Sequence, residues 1–313
     1  MTALRSVLVT GGGGFVGRSF MTAAMARGWR VTVLERDAVA AVGLDVLGIP
    51  VIEHDVREPL PGEALRGIGA VVHLAAYVPP DLQAPGHAAE CLAVNGLGTL
   101  NVLEAARSAD VRRIVYLGAA NAYAVRRRPA RESDAMTPSG KAAFYLASKV
   151  LADTFVEHYG SQGGLRCTSL RASAIYGVGM PSHSMVFRFL SALRRGEALE
   201  VTDGGRYKVD LVYVDDVAGA IMAALERDVI GPVNVAGGRR YSSRQVAAIA
   251  ARICSAPRRL VKVLPPAPGS APVEFPAVDI HRARVELDFE PSDLTAGLRR
   301  MLAEDPRLAG EAQ

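Results

Sequence analysis

The sequence predicts an α/β protein with a doubly wound parallel sheet and a smaller, mainly C-terminal region beside it. Apolar, β-branched runs alternate with segments of helical period through the first half of the chain. These runs are apolar throughout rather than at every second position, which is typical of strands that helices cover on both faces. With 313 residues, 50% of them hydrophobic, the chain can bury more than one minimal core.

The first strand–helix–strand unit predicts the layout of the rest. We expect a strand at residues 6–10, a helix that ends at Arg27 and a strand at residues 30–35. Further strands are predicted at 51–54, 70–74, 114–117 and 166–170, and long helices at about 88–109 and 142–159.

After Arg171 the pattern loosens into a stretch with glycine and proline. A helix is predicted at residues 185–196, short strands at 198–201 and 209–214, and a helix at 214–227 that returns to the first layer. Shorter units separated by proline-rich breaks follow residue 232.

Composition and charge exclude several classes of partner. The net charge is +4, but the basic residues are spread along the chain in pairs, so we expect no nucleic-acid partner. No uncharged apolar run approaches the roughly 20 residues of a membrane helix, so we expect no membrane partner. The N-terminus lacks the pattern of a secretory signal, which predicts a cytoplasmic protein.

The cysteines and histidines do not indicate a metal site. Cys91, Cys167 and Cys254 are widely spaced without a CxxC pair, and the six histidines lack metal-binding spacing. We therefore expect buried free thiols, no disulfide framework and no metal.

A glycine-rich turn joins the first strand to the first helix. Gly11 permits a tight turn, Gly14 lets backbone N–H groups approach a pyrophosphate, and Gly17 permits close packing of the helix that Phe15 and Val16 begin. The N-terminus of that helix would face the phosphates, so Phe15, Val16 and Gly17 are predicted to bind the cofactor. In a strand–turn–helix context this pattern favours a Rossmann-type dinucleotide site over a plain flexible turn.

Two residues at the end of the second predicted strand help to distinguish NAD from NADP. Glu35 can accept hydrogen bonds from the adenosine ribose diol and repels a 2′-phosphate, which favours NAD. Arg36 follows at once and would attract that phosphate, so NADP is the alternative. An ordinary solvated strand end is the structural explanation for both residues.

We accordingly predict a dinucleotide-binding Rossmann domain at residues 1–172 plus about 209–236. Residues 173–208 and 237–313 are predicted to form the substrate-binding region, with the ligand cleft between the two.

Several further motifs resemble the extended short-chain dehydrogenase/reductase family, the NAD-dependent epimerase/dehydratase group. Asp55 and Val56 lie where that family contacts adenine, and the segment from His73 through Leu74, Ala75 and Ala76 resembles the part of the family beside the ribose and pyrophosphate. Asn95 resembles the family's cofactor-side asparagine. From its apolar strand alone, His73 is more typical of a hydrogen-bonded core histidine than of a ligand.

Tyr145 and Lys149 are the candidate catalytic residues. Their spacing of four places the phenol and the ammonium on one helix face. A free tyrosine titrates near pH 10, so we expect the Lys149 cation to lower the pKa of Tyr145 and make it a proton donor or acceptor. The resemblance implies that Lys149 also holds the nicotinamide ribose.

The sequence departs from the family pattern at Ala119. The family has a serine or threonine there that hydrogen-bonds the reacting oxygen, and loss of such a donor costs on the order of a hundredfold in rate. We hypothesise that the nearby Asn121 replaces it.

Three segments match the places where nucleotide-sugar enzymes of the family hold the diphosphate. In this chain residues 171–177, 209–216 and 267–269 have aliphatic residues instead of polar clamps, which favours a compact or hydrophobic substrate. Arg206 and Lys208 lie near one lost arginine and are possible substitutes.

Two charged runs are given structural interpretations. Residues 126–128 are three arginines that we interpret as a solvated loop rather than as an anion site. Asp215 and Asp216 are expected to cap the helix that follows rather than to act as an acid–base pair.

The sequence therefore predicts an NAD(P)-dependent oxidoreductase that transfers hydride between nicotinamide and a secondary alcohol or ketone of a small or hydrophobic substrate. A nucleotide-sugar epimerase or dehydratase with retained NAD is the alternative, and a non-catalytic dinucleotide sensor is the third. The family resemblance implies a homodimer with a four-helix interface, formed by the helices at about 88–109 and 142–159.

Overall fold

A seven-stranded parallel sheet lies at the centre of the computed structural model, which describes residues 5–37, 39, 41, 44, 47–82, 84–138 and 140–309. The strands of the described chain are β1 (Ser6–Thr10), β2 (Arg30–Glu35), β3 (Val51–Glu53), β4 (Ala70–His73), β5 (Arg113–Ala119), β6 (Arg166–Ala172), β7 (Ala174–Tyr176), β8 (Leu199–Val201), β9 (Lys208–Tyr213), β10 (Gly231–Val235), β11 (Arg240–Ser242) and β12 (Val261–Val263). The predicted strands of the first half are all present, with ends that differ by a few residues.

The order of the central strands is β10-β6-β5-β4-β1-β2-β3, and all neighbours are parallel. The chain reverses its direction of progress between β1 and β4, and ligands bind beyond the carboxyl ends of the strands at such a point. Gly11, Glu35, Leu74 and Ala119 all lie at this edge, because each ends or follows a parallel strand. The predicted fold class is confirmed.

The helices are α1 (Phe15–Ala26), α2 (Ala88–Glu90), α3 (Gly98–Ser108), α4 (Ala143–Ser161), α5 (Met185–Arg194), α6 (Val214–Arg227), α7 (Ser243–Ile253), α8 (His281–Leu287) and α9 (Leu294–Glu304). A π-helical segment, Cys91–Leu97, joins α2 to α3. The single helix predicted at 88–109 is thus three consecutive helical segments.

Side chains of the central strands pack on both faces of the sheet because successive residues point in opposite directions. Val7 and Val9 of β1 pack on the face that α1 and α6 cover, whereas Leu8 packs on the opposite face with residues of α3 and α4. All three side chains are fully buried, which accounts for the continuous apolar runs in the sequence.

The second region has its own core around α5, α7 and α9. Its sheets are β11-β9-β7 and β12-β8. Two elements differ from the predicted division: β9 pairs with β7 and β11 rather than with the central sheet, and α8 packs its Ala283 and Leu287 into the core beneath α6. As expected, α6 lies on the first layer against α1.

Within the described ranges, no helix is long and apolar enough to cross a membrane. No group of three or more His, Cys, Asp or Glu side chains that could hold a metal ion occurs among the same residues. Cys91 and Cys167 are buried free thiols and Cys254 is a half-buried one.

Candidate active site

A cavity of about 490 Å³ opens at the carboxyl end of β1, at the reversal point of the sheet. It is lined by nine of the residues predicted to bind the cofactor: Gly11, Gly14, Glu35, Arg36, Asp55, Val56, Leu74, Ala75 and Ala76. Gly13, His54, Tyr77, Val78 and Val94 also line it. The sequence did not single out Gly13, Tyr77, Val78 or Val94.

The glycine-rich turn fits a dinucleotide because side chains are excluded from it. Gly11 has a φ of 71°, and a Cβ there would lie 2.7 Å from the backbone nitrogen of Ala75. A Cβ on Gly17 would lie 2.4 Å from the carbonyl oxygen of Gly12, so α1 can start this close to the turn only with glycine. The cradle is therefore shaped for a backbone–phosphate approach at the start of α1.

Glu35 is held against this turn. Its carboxylate accepts a hydrogen bond of 2.5 Å from the backbone N–H of Gly13. Burial raises the pKa of Glu35, and hydrogen bonds from the backbone of Gly13 and Arg36 oppose that rise. Arg36 is exposed and forms an ion pair with Asp37 at 3.1 Å. Both side chains thus border the cavity, with the carboxylate fixed and the guanidinium at its rim.

Asp55 forms an ion pair with Arg57. Arg57 donates to its carboxylate at 2.6 Å and reaches Glu90 at 3.3 Å. The hydrogen bond from Arg57 lowers the pKa of Asp55, so the group is ionised at neutral pH.

Six predicted cofactor residues do not line this cavity, among them the catalytic candidates Tyr145 and Lys149, which are described below. Phe15, Val16 and Gly17 form the first turn of α1 without lining the cavity. Asn95 is buried in the π-helical segment; its amide accepts from the Tyr77 N–H at 2.7 Å and donates to Ser148 Oγ at 2.9 Å. Asn95 thus joins the loop after β4 to α4, and its cofactor-side role stays a prediction.

His73 is a core histidine, as its strand position predicts. Its Nδ1 lies 2.6 Å from Thr10 Oγ1 and its Nε2 lies 3.0 Å from Thr99 Oγ1. Burial lowers the pKa of His73 to about 3, and the Lys149 charge contributes. The imidazole is thus neutral and fully hydrogen-bonded.

A second cavity, of about 650 Å³, lies beside the first, and Val78 lines both. Tyr145 and Asn121 line this second cavity together with side chains from the smaller region. Its lining is mainly aliphatic and aromatic, and none of the described arginine or lysine side chains belongs to it. A substrate held there would lie next to the cofactor cavity.

Lys149 lies one helical turn after Tyr145 on α4 and is buried. Its ammonium donates to the Leu117 carbonyl at 2.7 Å and lies 4.4 Å from the centre of the Tyr116 ring. Burial lowers the pKa of Lys149 to about 7, and the Asp153 carboxylate opposes that fall.

The expected lowering of the Tyr145 pKa is not found. Burial raises the pKa of Tyr145 to about 12, and the nearby Cys91 adds to the rise. The physical reason is that the Lys149 ammonium is directed at the end of β5, so desolvation of the phenol dominates. Tyr145 is therefore a protonated phenol at neutral pH, suited to donating a proton.

Ala119 ends β5 and gives no hydroxyl to the site. Asn121 lies in the short 3₁₀ turn that follows, and its amide oxygen is buried with no hydrogen-bond partner among the described residues. A polar amide in this state beside Tyr145 is unusual, since most buried polar groups are paired.

Two of the three clamp segments supply aliphatic residues to the second cavity. Ala174 and Val209 line it, whereas no residue of 267–269 does. The proposed substitutes are paired away from it: Arg206 bonds Asp203 at 2.5 Å, and Lys208 bonds Glu274 at 2.9 Å. Neither residue lines the cavity.

A sequence model of the NAD dependent epimerase/dehydratase family matches residues 7–236. The chain belongs to this family. It is 27% identical over 310 residues to a dTDP-4-dehydro-6-deoxy-D-allose reductase of Streptomyces sp, covering 94% of each chain. It is 30% identical over 239 residues to a 2-alkyl-3-oxoalkanoate reductase of Stenotrophomonas maltophilia, covering 75% of this chain and 69% of the relative.

Solved structures show the same fold. A UDP-glucose 4-epimerase from Thermotoga maritima superposes with a TM-score of 0.84 at 24% identity, over 95% of this chain and 97% of the other. Membership of the epimerase/dehydratase family makes this chain an enzyme with NAD as its cofactor, of the extended short-chain dehydrogenase/reductase type. The non-catalytic alternative is therefore not supported.

The carboxylates of Asp215 and Asp216 have structural partners. Asp215 accepts from Ser19 at 2.6 Å and from Arg300 at 2.7 Å, and Asp216 accepts from the Ser292 N–H at 2.7 Å. Both are structural, as predicted, but neither caps α6, whose N-cap is Tyr213 without a side-chain bond. They tie α6 to the two segments that pack beside it.

The arginine loop is solvated as predicted. Residues 126–128 are exposed, and two of its guanidinium groups reach the same carboxylate, with Arg128 at 2.6 Å and Arg126 at 3.7 Å from Asp134.

Residues of the second cavity were mostly missed by the sequence. Val78 follows the family's HLAA segment beyond the carboxyl end of β4, a position that marks ligand contacts in open α/β sheets. Phe275 comes from a proline-rich connection and has no local pattern that would identify it.

Proposed function

We propose that this enzyme is an NAD(H)-dependent oxidoreductase that interconverts a ketone and a secondary alcohol on a small or hydrophobic substrate. The observation that carries the proposal is the second cavity. It places Tyr145 next to the cofactor cavity, and its described lining has no cation to hold a diphosphate.

The residues of the two cavities have distinct roles in this proposal. Gly11, Gly14 and the first turn of α1 hold the pyrophosphate, while Glu35 accepts from the adenosine ribose. When bound, the dinucleotide supplies or accepts the hydride at the reacting carbon. In the reductive direction the alkoxide oxygen that develops on the substrate takes the phenolic proton of Tyr145, which gives the alcohol.

Lys149 and Asn121 support Tyr145. Lys149, one helical turn after Tyr145, is the candidate donor to the nicotinamide ribose. Asn121 is the candidate replacement for the hydroxyl missing at Ala119, because it lines the cavity, carries an N–H donor, and has an amide oxygen without a partner among the described residues. Burial keeps Tyr145 protonated, which is the form that donates a proton in the reductive direction.

The direct test is NADH oxidation by the purified protein with a panel of ketones, compared with the Tyr145→Phe variant. We expect turnover that falls by several orders of magnitude in the variant, while NADH affinity is retained. Equal rates for both proteins would refute the assignment of Tyr145 as the proton donor.

A nucleotide-sugar epimerase or dehydratase is the second candidate. It is favoured by the relatives that align over nearly the whole chain, among them the Streptomyces allose reductase and a dTDP-glucose 4,6-dehydratase of Streptomyces niveus at 26% identity. This candidate predicts conversion of a dTDP- or UDP-sugar with no net change in NADH. Conversion of such a sugar, with every ketone inert, would replace the first proposal.

We also propose a homodimer built from the π-helical segment, α3 and α4. Leu92, Leu97 and Phe144 are large apolar side chains with 54%, 47% and 45% of their surface exposed, and they come from these neighbouring helices. Packing them in a four-helix interface would remove this apolar surface from water. The cytoplasmic location expected from the sequence stays a prediction.

A further inference from the structure

The second cavity is mainly apolar at both its enclosed part and its mouth, and Asp81 is the charged residue in its described lining. Met180, Val186 and Leu211 are buried side chains in its wall. At the mouth, Val78 and Leu82 have 58% and 37% of their surface exposed. Apolar side chains therefore line the cavity from the protein core to the solvent.

This lining constrains the ligand. A phosphate or a carboxylate would lose its hydration there without gaining a cationic partner from the described lining, which is costly. A hydrocarbon chain would instead gain about 25 cal/mol for each Å² of apolar surface removed from water, and it would cover Val78 and Leu82 as well.

The size of the second cavity also favours a long hydrocarbon chain. A volume of about 650 Å³ lies in the range that holds drug-sized ligands, and it adjoins the cofactor cavity without including it. A ketone with only short substituents would leave most of this volume unfilled and most of its apolar wall uncovered.

We infer that the enzyme acts on a ketone or secondary alcohol that carries a long hydrocarbon chain. The reacting oxygen lies at Tyr145, the chain packs against Met180, Val186 and Leu211, and its far end reaches Leu82 at the mouth. The position of the reacting oxygen rests on the proposed function, whereas the chain-binding surface does not require turnover.

The test separates binding from turnover. A homologous series from 2-butanol to 2-dodecanol is titrated into the full-length protein without cofactor, with heat as the readout. We expect the affinity to rise about fourfold for each added methylene until the cavity is filled. An affinity that does not change along the series would overturn the inference, and so would UDP binding that is tighter than that of 2-dodecanol.

A matched pair of variants locates the chain. Leu82→Asn should weaken the binding of 2-dodecanol by about five- to tenfold and leave that of 2-butanol unchanged. Leu47→Asn alters an equally apolar, 54% exposed side chain outside the cavity and should change neither. Equal effects of the two variants would place the chain elsewhere and contradict the inference.

Turnover of methyl 3-oxoalkanoates with NADH then distinguishes the two claims. Chain-length-dependent binding without any ketone turnover would refute the proposed function and leave the chain site standing. Turnover with the same kcat/KM for short and long chains would support the proposed function and refute the chain site.

Discussion

Gly17, in the first turn of α1, gives the sharpest structural prediction. A methyl group on Gly17 would lie 2.4 Å from the Gly12 oxygen and 2.6 Å from the Gly11 oxygen, and both are backbone atoms that cannot rotate away. Gly219, in the interior of α6, has no atom within 4 Å of the same added methyl group. Gly17→Ala therefore brings a methyl group against backbone atoms, whereas Gly219→Ala does not.

The magnitudes follow from this contrast. Alanine gains about 0.5–1 kcal/mol of helix stability over glycine at either site. Overpacking costs about 1–3 kcal/mol, so Gly17→Ala should be less stable than Gly219→Ala by about that amount. The displaced turn lines the cofactor cavity, and we expect NAD to bind about tenfold or more weakly.

Urea unfolding and calorimetric NAD titration measure the two effects. The wild type and Gly219→Ala should bind NAD equally, and only Gly17→Ala should lose affinity. The reasoning is refuted if the two variants have the same free energy of unfolding and the same NAD affinity.

The other predictions concern His73, Asn121 and the proposed interface. The pKa of His73 is about 3 in the folded state and 6.5 in the unfolded state. The unfolded chain therefore binds the proton first, and stability that is full above pH 6.5 is lost as the pH falls towards 3. Unfolding curves of the wild type should lose about 2 kcal/mol more between about pH 7 and pH 5 than those of His73→Gln, and parallel losses would contradict this. Asn121→Ala should lower kcat about a hundredfold with little change in KM, and unchanged turnover in steady-state assays would remove Asn121 from the mechanism. Light scattering should find a wild-type dimer that Leu97→Glu converts to a monomer and Leu47→Glu does not; a monomeric wild type would disprove the interface.

The central sheet could be predicted because its signals are local. β1 and β2 are rich in β-branched and apolar residues and are separated by a glycine-rich turn and a helix, so the predicted strand bounds agree with the structure. The π-helical segment has no local signal in the sequence, and its Asn95 bonds Tyr77 and Ser148, which are 18 and 53 residues away in the chain.

The cofactor side of the site was more predictable than the substrate side. Glu35 and the glycines belong to a motif whose spacing is set by one turn and one strand end. The second cavity gathers Val78, Val209 and Phe275 from distant segments. No periodicity in the sequence relates such residues, and their common surface exists only in the folded chain.

The protonation of Tyr145 could not be predicted from the spacing of the motif. The spacing of Tyr145 and Lys149 correctly places them on successive turns of α4. It does not reveal that the Lys149 ammonium bonds the Leu117 carbonyl or that burial raises the pKa of Tyr145 to about 12. Both depend on the depth of the site, which only tertiary packing determines.

The proposed net reduction of a ketone is tested most directly by measuring how much dinucleotide the protein retains and how much NADH it consumes. The purified protein is denatured and the released dinucleotide is quantified, and native protein is then supplied with NADH and a long-chain ketone. We expect little retained NAD and one NADH consumed for each alcohol formed. Stoichiometric retained NAD, with no net NADH consumption and conversion of a nucleotide sugar, would contradict it.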